Sequence, residues 1–138
     1  MPDPRHIIDT GPIVALLNRR DLHHAWAKAT LGALSAPPVT CEAVLTEVCW
    51  HLRESPEAVA RVLEMAPRGE LLLYPVVGDE GIALAGLVRK YGRTIDLADA
   101  GLVRLSEVFP RAKVITTDAE HFAIYRRNRT QGIPIVSP

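Results

Sequence analysis

Residues 6–12 read HIIDTGP, an apolar run that closes on Asp9 and then passes into a helical stretch. Pro12 suits the first turn of that helix, because a proline there loses no helical hydrogen bond. The same order of apolar run, acid and helix recurs where residues 114–117 end at Asp118. Such junctions are typical of parallel strands that are each followed by a helix, so the pattern predicts an α/β fold.

Strands and helices alternate along the chain, with no repeat, linker or low-complexity tract between them. Residues 71–77 are apolar without alternation, as expected of a buried parallel strand, and Pro134 predicts that the last strand lies at a sheet edge. The predicted strands are 6–9, 39–40, 71–77, 113–116 and 134–136, and the predicted helices are 12–18, 22–34, 41–54, 56–67, 79–91, 96–109 and 119–126. We expect a single domain, 1–138, built on a mostly parallel sheet with helices on both faces.

The composition is that of an ordinary soluble globular domain, with 48% apolar and 23% charged residues among 138. No apolar run approaches the ~20 residues of a membrane span, and the first residues lack the layout of a signal peptide. We therefore expect a cytoplasmic protein with no membrane segment. Cys41 and Cys49 lie on one predicted helix, too far apart to bridge each other, and are expected to be core thiols.

Sixteen basic and sixteen acidic residues give a formal net charge of zero, which argues neither for nor against nucleic-acid binding. What matters is how the charges are distributed. Basic residues crowd the last third of the chain, namely Arg104, Arg111, Lys113, Arg126, Arg127 and Arg129. For any single arginine, a solvated charged face explains the residue as well as a phosphate contact does.

Five acids fall where such a sheet would gather side chains: Asp9, Glu47, Asp96, Asp99 and Asp118. Open α/β sheets place their ligand crevice at the carboxyl ends of the strands. Acids that converge there repel one another and tend to stay protonated unless a cation joins them. The pattern therefore indicates a divalent metal site and metal-assisted chemistry on phosphate. Ligands that are all oxygen favour Mg²⁺ or Mn²⁺ over zinc.

Taken singly, most of these acids also have structural explanations. Asp96 is well placed as the N-cap of its helix. If Thr117 is a cap, Asp118 falls in the first turn, where the helix dipole favours an anion. Asp9 suits a strand-to-helix turn, and Glu47 could be a solvated surface residue. The metal interpretation depends on joint placement, because four separate segments each bring an acid to one predicted crevice.

Other catalytic patterns fit poorly. The chain has no G-x-x-x-x-G-K-[ST] phosphate loop and no G-x-S-x-G nucleophile elbow. A haloacid-dehalogenase phosphatase needs a second acid where Gly11 stands, and a response-regulator receiver needs one where residues 73–75 read LYP. His51 and His121 stand alone in the sequence and are interpreted as surface or capping residues.

The acidic segments resemble those of the PIN-domain ribonucleases, and most closely the VapC-type toxins of bacterial toxin–antitoxin pairs. The resemblance rests on IDTGP at 8–12, VLTEV at 44–48, DLADA at 96–100 and TTD at 116–118, and it extends to LHHAWA at 22–27 and FAIYR at 122–126. These motifs are specific as an ordered set, and the likeness covers essentially the whole chain. It implies a Rossmann-like, PIN-like sheet of about five strands with the acids in one groove.

The resemblance also implies roles for the acids. Asp9, Glu47, Asp99 and Asp118 match the family's four acidic positions, and Asp96 matches an extra acid seen in many members. Family members bind Mg²⁺ or Mn²⁺, cleave single-stranded regions of RNA and often form homodimers. Toxins of this class are held inactive by a small antitoxin protein.

We therefore predict a Mg²⁺- or Mn²⁺-dependent endoribonuclease that holds one or two ions and hydrolyses RNA phosphodiesters with metal-activated water. Thr10 and Thr117 are predicted to hydrogen-bond the metal ligands or a phosphate, and Arg104 and Arg126 to contact backbone phosphates. The alternative is a PIN-like module that binds RNA or a protein without cleaving, although the complete acid set argues against it. The sequence does not name the RNA, the number of ions or a cognate antitoxin.

Overall fold

The computed structural model describes residues 3–138, and seven short strands lie within them. They are β1 (His6–Ile8), β2 (Val39–Thr40), β3 (Leu72–Leu73), β4 (Lys113–Ile115), β5 (Arg126–Arg127), β6 (Gln131–Gly132) and β7 (Ile135–Val136). Five of them form one parallel sheet in the order β3-β2-β1-β4-β7, and β5 pairs with β6 in a separate antiparallel ribbon. The predicted parallel sheet of about five strands is confirmed, with the last strand at an edge.

Seven helices connect these strands within the described residues. They are α1 (Thr10–Leu17), α2 (His24–Gly32), α3 (Glu42–His51), α4 (Pro56–Met65), α5 (Val76–Tyr91), α6 (Leu97–Val108) and α7 (Ala119–Ile124), with a 3-10 turn at Gly92–Thr94. Each predicted helix is present, although most of them end earlier than predicted. None of these helices is both long enough and apolar enough to cross a membrane. The predicted domain of 1–138 stays a prediction, and its first two positions lie outside the described residues.

The sheet is buried on both faces. Successive residues of a strand point to opposite faces, and both Ile7 and Ile8 of β1 are completely buried. Val114 and Ile115 of β4, paired with them in register, are buried as well. Helices therefore cover the central strands on both sides, as the unbroken apolar runs predict.

Side-chain caps start four of the helices. Ser55 accepts a hydrogen bond from the Ala58 amide at the start of α4. The other three caps are acids of the predicted crevice, namely Asp9, Asp96 and Asp118. The predicted capping role of Asp96 is confirmed. The alternative in which Thr117 caps the next helix is wrong, because Asp118 itself holds that position.

The prediction for residues 71–77 is wrong at its second half. Only Leu72–Leu73 pair as a strand, and α5 begins at Val76 directly after Pro75. Val76 is buried whereas Val77 is 59% exposed, so the run does not continue as a strand between two covered faces. A short apolar run fits a buried helix start as well as a strand, which is why periodicity alone misassigned it.

The β5–β6 ribbon is a feature that the sequence analysis missed. It replaces the predicted end of the last helix, since Arg126 pairs with Gly132 and Arg127 with Gln131. Asn128 has a φ of 48° and Arg129 a φ of 72°, both in the left-handed region. Arginine is uncommon there, so the turn carried no strong sequence signal.

Two helices that carry site residues approach each other closely. A Cβ added to Gly101 of α6 would lie 2.9 Å from the Sγ of Cys41, which precedes α3. Cys41 is completely buried, as predicted, whereas Cys49 is only half-buried. The absence of a side chain at Gly101 thus lets α6 pack against the start of α3.

Candidate active site

A groove of about 400 Å³ lies at the carboxyl ends of β1 and β4. All five predicted acids line it: Asp9, Glu47, Asp96, Asp99 and Asp118. Seven further residues complete its wall, namely Thr10, Gly11, Val14, Asp21, His51, Thr117 and His121. The crevice predicted from strand-end acids therefore exists, and side chains from α1, α3, α6 and α7 or their caps converge on it.

Asp9 forms the floor of this groove and is 8% exposed. Its Oδ1 accepts a hydrogen bond of 2.7 Å from the Thr10 amide, and its Oδ2 accepts one of 2.7 Å from Thr116 Oγ1. Burial raises the pKa of Asp9, and the negative charges of Asp118 and Asp96 add to the rise, although the two hydrogen bonds oppose it. The carboxyl group is thus fixed in orientation but short of positive charge.

Glu47 reaches the groove from the middle of α3. Its Oε2 accepts a hydrogen bond of 2.8 Å from Thr10 Oγ1, which joins α3 to the first turn of α1. Burial and the neighbouring Asp96 and Asp99 raise the pKa of Glu47 to about 7. A solvated surface glutamate would show no such rise, so that explanation does not describe Glu47.

Asp99 lies in the first turn of α6, where its amide donates a 2.8 Å hydrogen bond to Oδ1 of the cap residue Asp96. Its own Oδ2 accepts a hydrogen bond of 2.8 Å from the hydroxyl of Tyr125. Burial, with the charges of Asp96 and Asp9, raises the pKa of Asp99 to about 6. Asp99, predicted to be a site acid, and Asp96, predicted to be the cap, thus lie together at the start of α6.

Asp118 and His121 form the exposed rim of the groove. Nδ1 of His121 lies 2.5 Å from Asp118 Oδ2, and both side chains are about half exposed to solvent. The hydrogen bond and the charge of Asp118 raise the pKa of His121. The raised pKa favours the positively charged form of His121 beside the acids, a role that the interpretation of His121 as a surface or capping residue did not include.

The two threonines that were predicted to support the site, Thr10 and Thr117, make different contacts. Thr10 holds Glu47, as predicted. Thr117 lines the groove but makes no hydrogen bond to an acid among the described side chains, and it packs against Gly11 instead. A Cβ at Gly11 would lie 1.9 Å from Thr117 Oγ1. The hydroxyl that holds Asp9 belongs to Thr116, and a phosphate contact by Thr117 stays a prediction.

The two predicted phosphate-binding arginines do not line the groove. Arg104 forms ion pairs with Glu80 at 2.9 Å and with Glu107 at 3.2 Å, on the side of the molecule where α5 kinks. Arg126 Nη1 donates to the carbonyls of Ala123 and Tyr125, at the end of α7. Both guanidinium groups are engaged by the fold, and neither enters the proposal below.

Sequence reasoning missed three residues that hydrogen-bond the groove acids, namely Thr116, His121 and Tyr125. Thr116 had a usable signal, because it stands two residues before an acid at a strand end. His121 stands three residues after Asp118, a spacing that allows a contact within one helical turn. The contact of Tyr125 with Asp99 joins residues 26 positions apart, so no local pattern indicates it. Asp21 and His51 also line the groove, from the loop after α1 and the end of α3.

The donor set fits a hard divalent cation. No three His, Cys, Asp or Glu side chains in residues 3–138 are already gathered around a common ion position. Mg²⁺ keeps several of its waters and is bound through one or two carboxylates, so it does not need such a cage. Oxygen ligands whose pKa values are raised by burial and mutual repulsion are the groups that a cation would relieve. Asp9, Glu47, Asp99 and Asp118, with Asp96 at the edge, could hold it.

The sequence matches the family model of the PIN domain over residues 6–132. A comparison with curated proteins finds no match. Two solved structures are similar in fold. The sarcin–ricin loop cleaving toxin VapC20 of Mycobacterium tuberculosis matches with a TM-score of 0.67 and 22% identity, over 78% of this chain and 85% of that one. A toxin–antitoxin complex from Klebsiella pneumoniae matches with a TM-score of 0.68 and 22% identity, over 96% and 97%.

Proposed function

Since residues 6–132 match its model, the chain belongs to the PIN-domain family, and we propose that its acidic groove is the active site of a divalent-metal-dependent endoribonuclease. The observation that carries the proposal is the convergence of five acids from four separate segments on one groove. Bringing several carboxylates together without a counter-charge costs free energy, because the charges repel one another and lose water. Such a set is explained by a cation and the phosphate chemistry that it supports.

We assign Asp9, Glu47, Asp99 and Asp118 as the residues that hold Mg²⁺ or Mn²⁺, with Asp96 contributing at the edge. When bound, the ion supplies an activated water and stabilises negative charge on phosphate. One or two ions are compatible with this number of carboxylates. The metal also supplies the positive charge that brings a polyanionic substrate to an acidic surface.

The chain's own residues orient the acids and shape the groove. Thr10 holds Glu47, and Thr116 holds Asp9, so two elements of the fold fix two carboxylates before any substrate arrives. His121, hydrogen-bonded to Asp118, lies at the exposed rim, where it can contact a phosphate oxygen of the RNA. We take single-stranded regions of RNA as the substrate, because unpaired bases can be splayed out and contacted, whereas an A-form duplex hides most base edges from side chains.

We further propose that this ribonuclease is the toxin of a toxin–antitoxin pair. The support is the similarity in fold to VapC20, which is described as a sarcin–ricin loop cleaving toxin, and to a toxin–antitoxin complex. In this proposal the protein acts in the cytoplasm, cleaves RNA as a homodimer and is inhibited by a small antitoxin protein. The RNA target of this chain is for the experiment below to identify.

The proposal is tested by incubating the purified chain with pooled cellular RNA and mapping the ends of the products. Parallel reactions contain Mg²⁺, Mn²⁺ or EDTA. Discrete ends that appear only with a divalent ion support the nuclease and identify its target. If the folded protein binds Mn²⁺ but generates no ends, the function is that of a PIN-like binding module without cleavage.

A further inference from the structure

Tyr125 is a completely buried residue whose hydroxyl reaches one of the groove acids. It follows the last turn of α7, and its Oη lies 2.8 Å from Asp99 Oδ2. We propose that Tyr125 is a positioning residue that fixes the Asp99 carboxylate for cation binding. This inference rests on the proposed function, because it takes Asp99 to be a metal ligand.

The tyrosine ring is held in place by its neighbours. Tyr91 and Phe122 meet it edge-on, with ring centroids at 5.3 Å and 5.7 Å. His121 stacks parallel to it at 6.3 Å. Packing on several sides and complete burial restrain the ring, so the position of the hydroxyl does not depend on its contact with the acid. Tyr125 can therefore impose an orientation on Asp99 rather than follow it.

The hydroxyl has two acceptors within reach. Besides Asp99 Oδ2, the carbonyl oxygen of Thr94 lies 2.8 Å from Tyr125 Oη. A phenol donates a single proton, so it can serve only one acceptor at a time. Hydrogen bonds to an ionised acceptor are about twice as strong as neutral ones, so the proton lies toward Asp99 when that group is a carboxylate. The Thr94 carbonyl accepts this proton only when Asp99 does not.

The two carboxylate oxygens of Asp99 therefore differ in their contacts. Oδ2 is engaged by Tyr125, whereas Oδ1 has no hydrogen-bond partner among the described residues. A cation in the groove would thus meet a carboxylate with one oxygen restrained and one available. Such outer contacts orient a ligand, and their loss weakens metal affinity by about 10- to 100-fold.

The first experiment measures Mn²⁺ binding by calorimetry in the absence of RNA. Tyr125→Phe keeps the packed ring and removes only the hydroxyl, so we expect the Kd for Mn²⁺ to rise by about 10-fold or more. Tyr91→Phe is the matched control, because its hydroxyl accepts from the Arg126 amide and lies outside the groove lining. Equal Kd values for wild type and Tyr125→Phe, or equal losses in both variants, would overturn the inference.

A double-mutant cycle separates positioning from a general effect on folding. In an Asp99→Asn background, Tyr125→Phe should cause no further loss of Mn²⁺ affinity, since the group that it acts through has already changed. An additional 10-fold loss there would show that Tyr125 does not act through Asp99. This comparison stays informative even if Tyr125→Phe lowers the melting temperature.

Cleavage by Tyr125→Phe provides a readout that a purely structural role would not change. Raising Mn²⁺ should restore its rate toward that of wild type, while the KM for RNA stays the same. If wild type binds Mn²⁺ but cleaves no RNA, the proposed nuclease fails while the binding comparison still decides the role of Tyr125. If wild type binds no Mn²⁺, the metal assignment and this inference both fall.

Discussion

Thr116 Oγ1, directly after β4, donates a hydrogen bond of 2.7 Å to Oδ2 of Asp9, directly after β1. The same oxygen accepts from the amide of Asp118 at 2.9 Å. Because β1 and β4 run parallel and in register, positions 107 residues apart in sequence lie side by side at the strand ends. One hydroxyl thus connects two groove acids and gives the fold a direct influence on the geometry of the site.

Replacing Thr116 by valine should therefore destabilise the protein and disturb the groove. The side chain keeps its shape, but the buried Asp9 carboxyl loses a donor, which costs about 1–3 kcal/mol. The free energy of unfolding in urea measures this loss. Thr116→Ser, which keeps the hydroxyl, is the matched control and should recover most of the stability. A valine variant as stable as wild type would show that this hydrogen bond contributes little.

The stability of the metal-free protein should fall as the pH rises from about 5 to 8. The pKa of Glu47 is raised from 4.5 to about 7, and the pKa of Asp99 from 3.8 to about 6. Between the unfolded and folded values the folded state binds more protons, so stability present at low pH is lost as pH rises through the folded pKa. The raised pKa of His121 acts in the same direction, and the lowered pKa of His6 acts against it.

Melting temperatures measured in EDTA across this pH range test whether stability falls as the pH rises. Glu47→Gln and Asp99→Asn should flatten the profile and raise the melting temperature at pH 8 by a few degrees, about 1 kcal/mol for a domain of this size. Glu47→Gln leaves the charges that act on His121 in place, so its difference from wild type isolates the acid, whereas Asp99→Asn also removes a charge that raises the pKa of His121. Mn²⁺ at about 100 times its Kd should restore about 2.7 kcal/mol to wild type at pH 8. A profile that instead rises with pH would refute the interpretation of the carboxylates as mutually repelling.

Gly11→Ala should damage the groove although alanine is the better helix former by about 1 kcal/mol. The added Cβ would lie 1.9 Å from Thr117 Oγ1, so the Thr117 side chain or the loop before Asp118 must move. We expect weaker Mn²⁺ binding and slower cleavage. Adding Thr117→Ala removes the colliding oxygen and should recover part of both. If Gly11→Ala alone behaves as wild type, the close approach at this position is not needed.

Arg104→Ala should change stability rather than RNA binding. The arginine pairs with Glu80 and Glu107, whose side chains are 17% and 13% exposed, and its removal leaves both without a counter-charge. We expect a loss of about 1–3 kcal/mol in urea unfolding, with the KM for RNA and the Kd for Mn²⁺ unchanged. A stable variant with a raised KM would instead restore Arg104 as a phosphate contact.

The features that the sequence predicted correctly depend on the order of strands and helices along the chain. Parallel strands that end in acids bring those acids to one edge, and for Asp9 and Asp118 this holds whatever the details of packing. The same reasoning placed Glu47 and Asp99 at the groove from their helices. The alternation of apolar runs and helical stretches likewise sufficed for the α/β class and the order of the elements.

What the sequence did not predict depends on tertiary contacts. Thr116 meets Asp9 through the register of β1 and β4, and Tyr125 meets Asp99 because the end of α7 lies against the first turn of α6. His121 contacts Asp118 three residues away, at the start of its own helix. Val76 begins a helix where an apolar run suggested a continued strand, because burial alone does not distinguish the two. Arginines at 104 and 126 were assigned to phosphate by composition, yet local partners engage both of them.

If the groove acids form a metal-dependent ribonuclease centre, the rate of RNA cleavage must depend both on a divalent ion and on Asp99. A single-turnover rate is measured on an RNA that carries a mapped cleavage site, in Mg²⁺ and in EDTA, for wild type, Asp99→Asn and the control Asp79→Asn. Asp79 is an exposed acid of α5 outside the groove lining. Circular dichroism confirms that each variant is folded.

Loss of a metal ligand removes several kcal/mol of charge stabilisation, so Asp99→Asn should be slower than wild type by about 100-fold or more. Asp79→Asn should match wild type in Mg²⁺, and EDTA should abolish cleavage in all three proteins. Cleavage that persists in EDTA, or a folded Asp99→Asn protein that cleaves at the wild-type rate, would contradict the account.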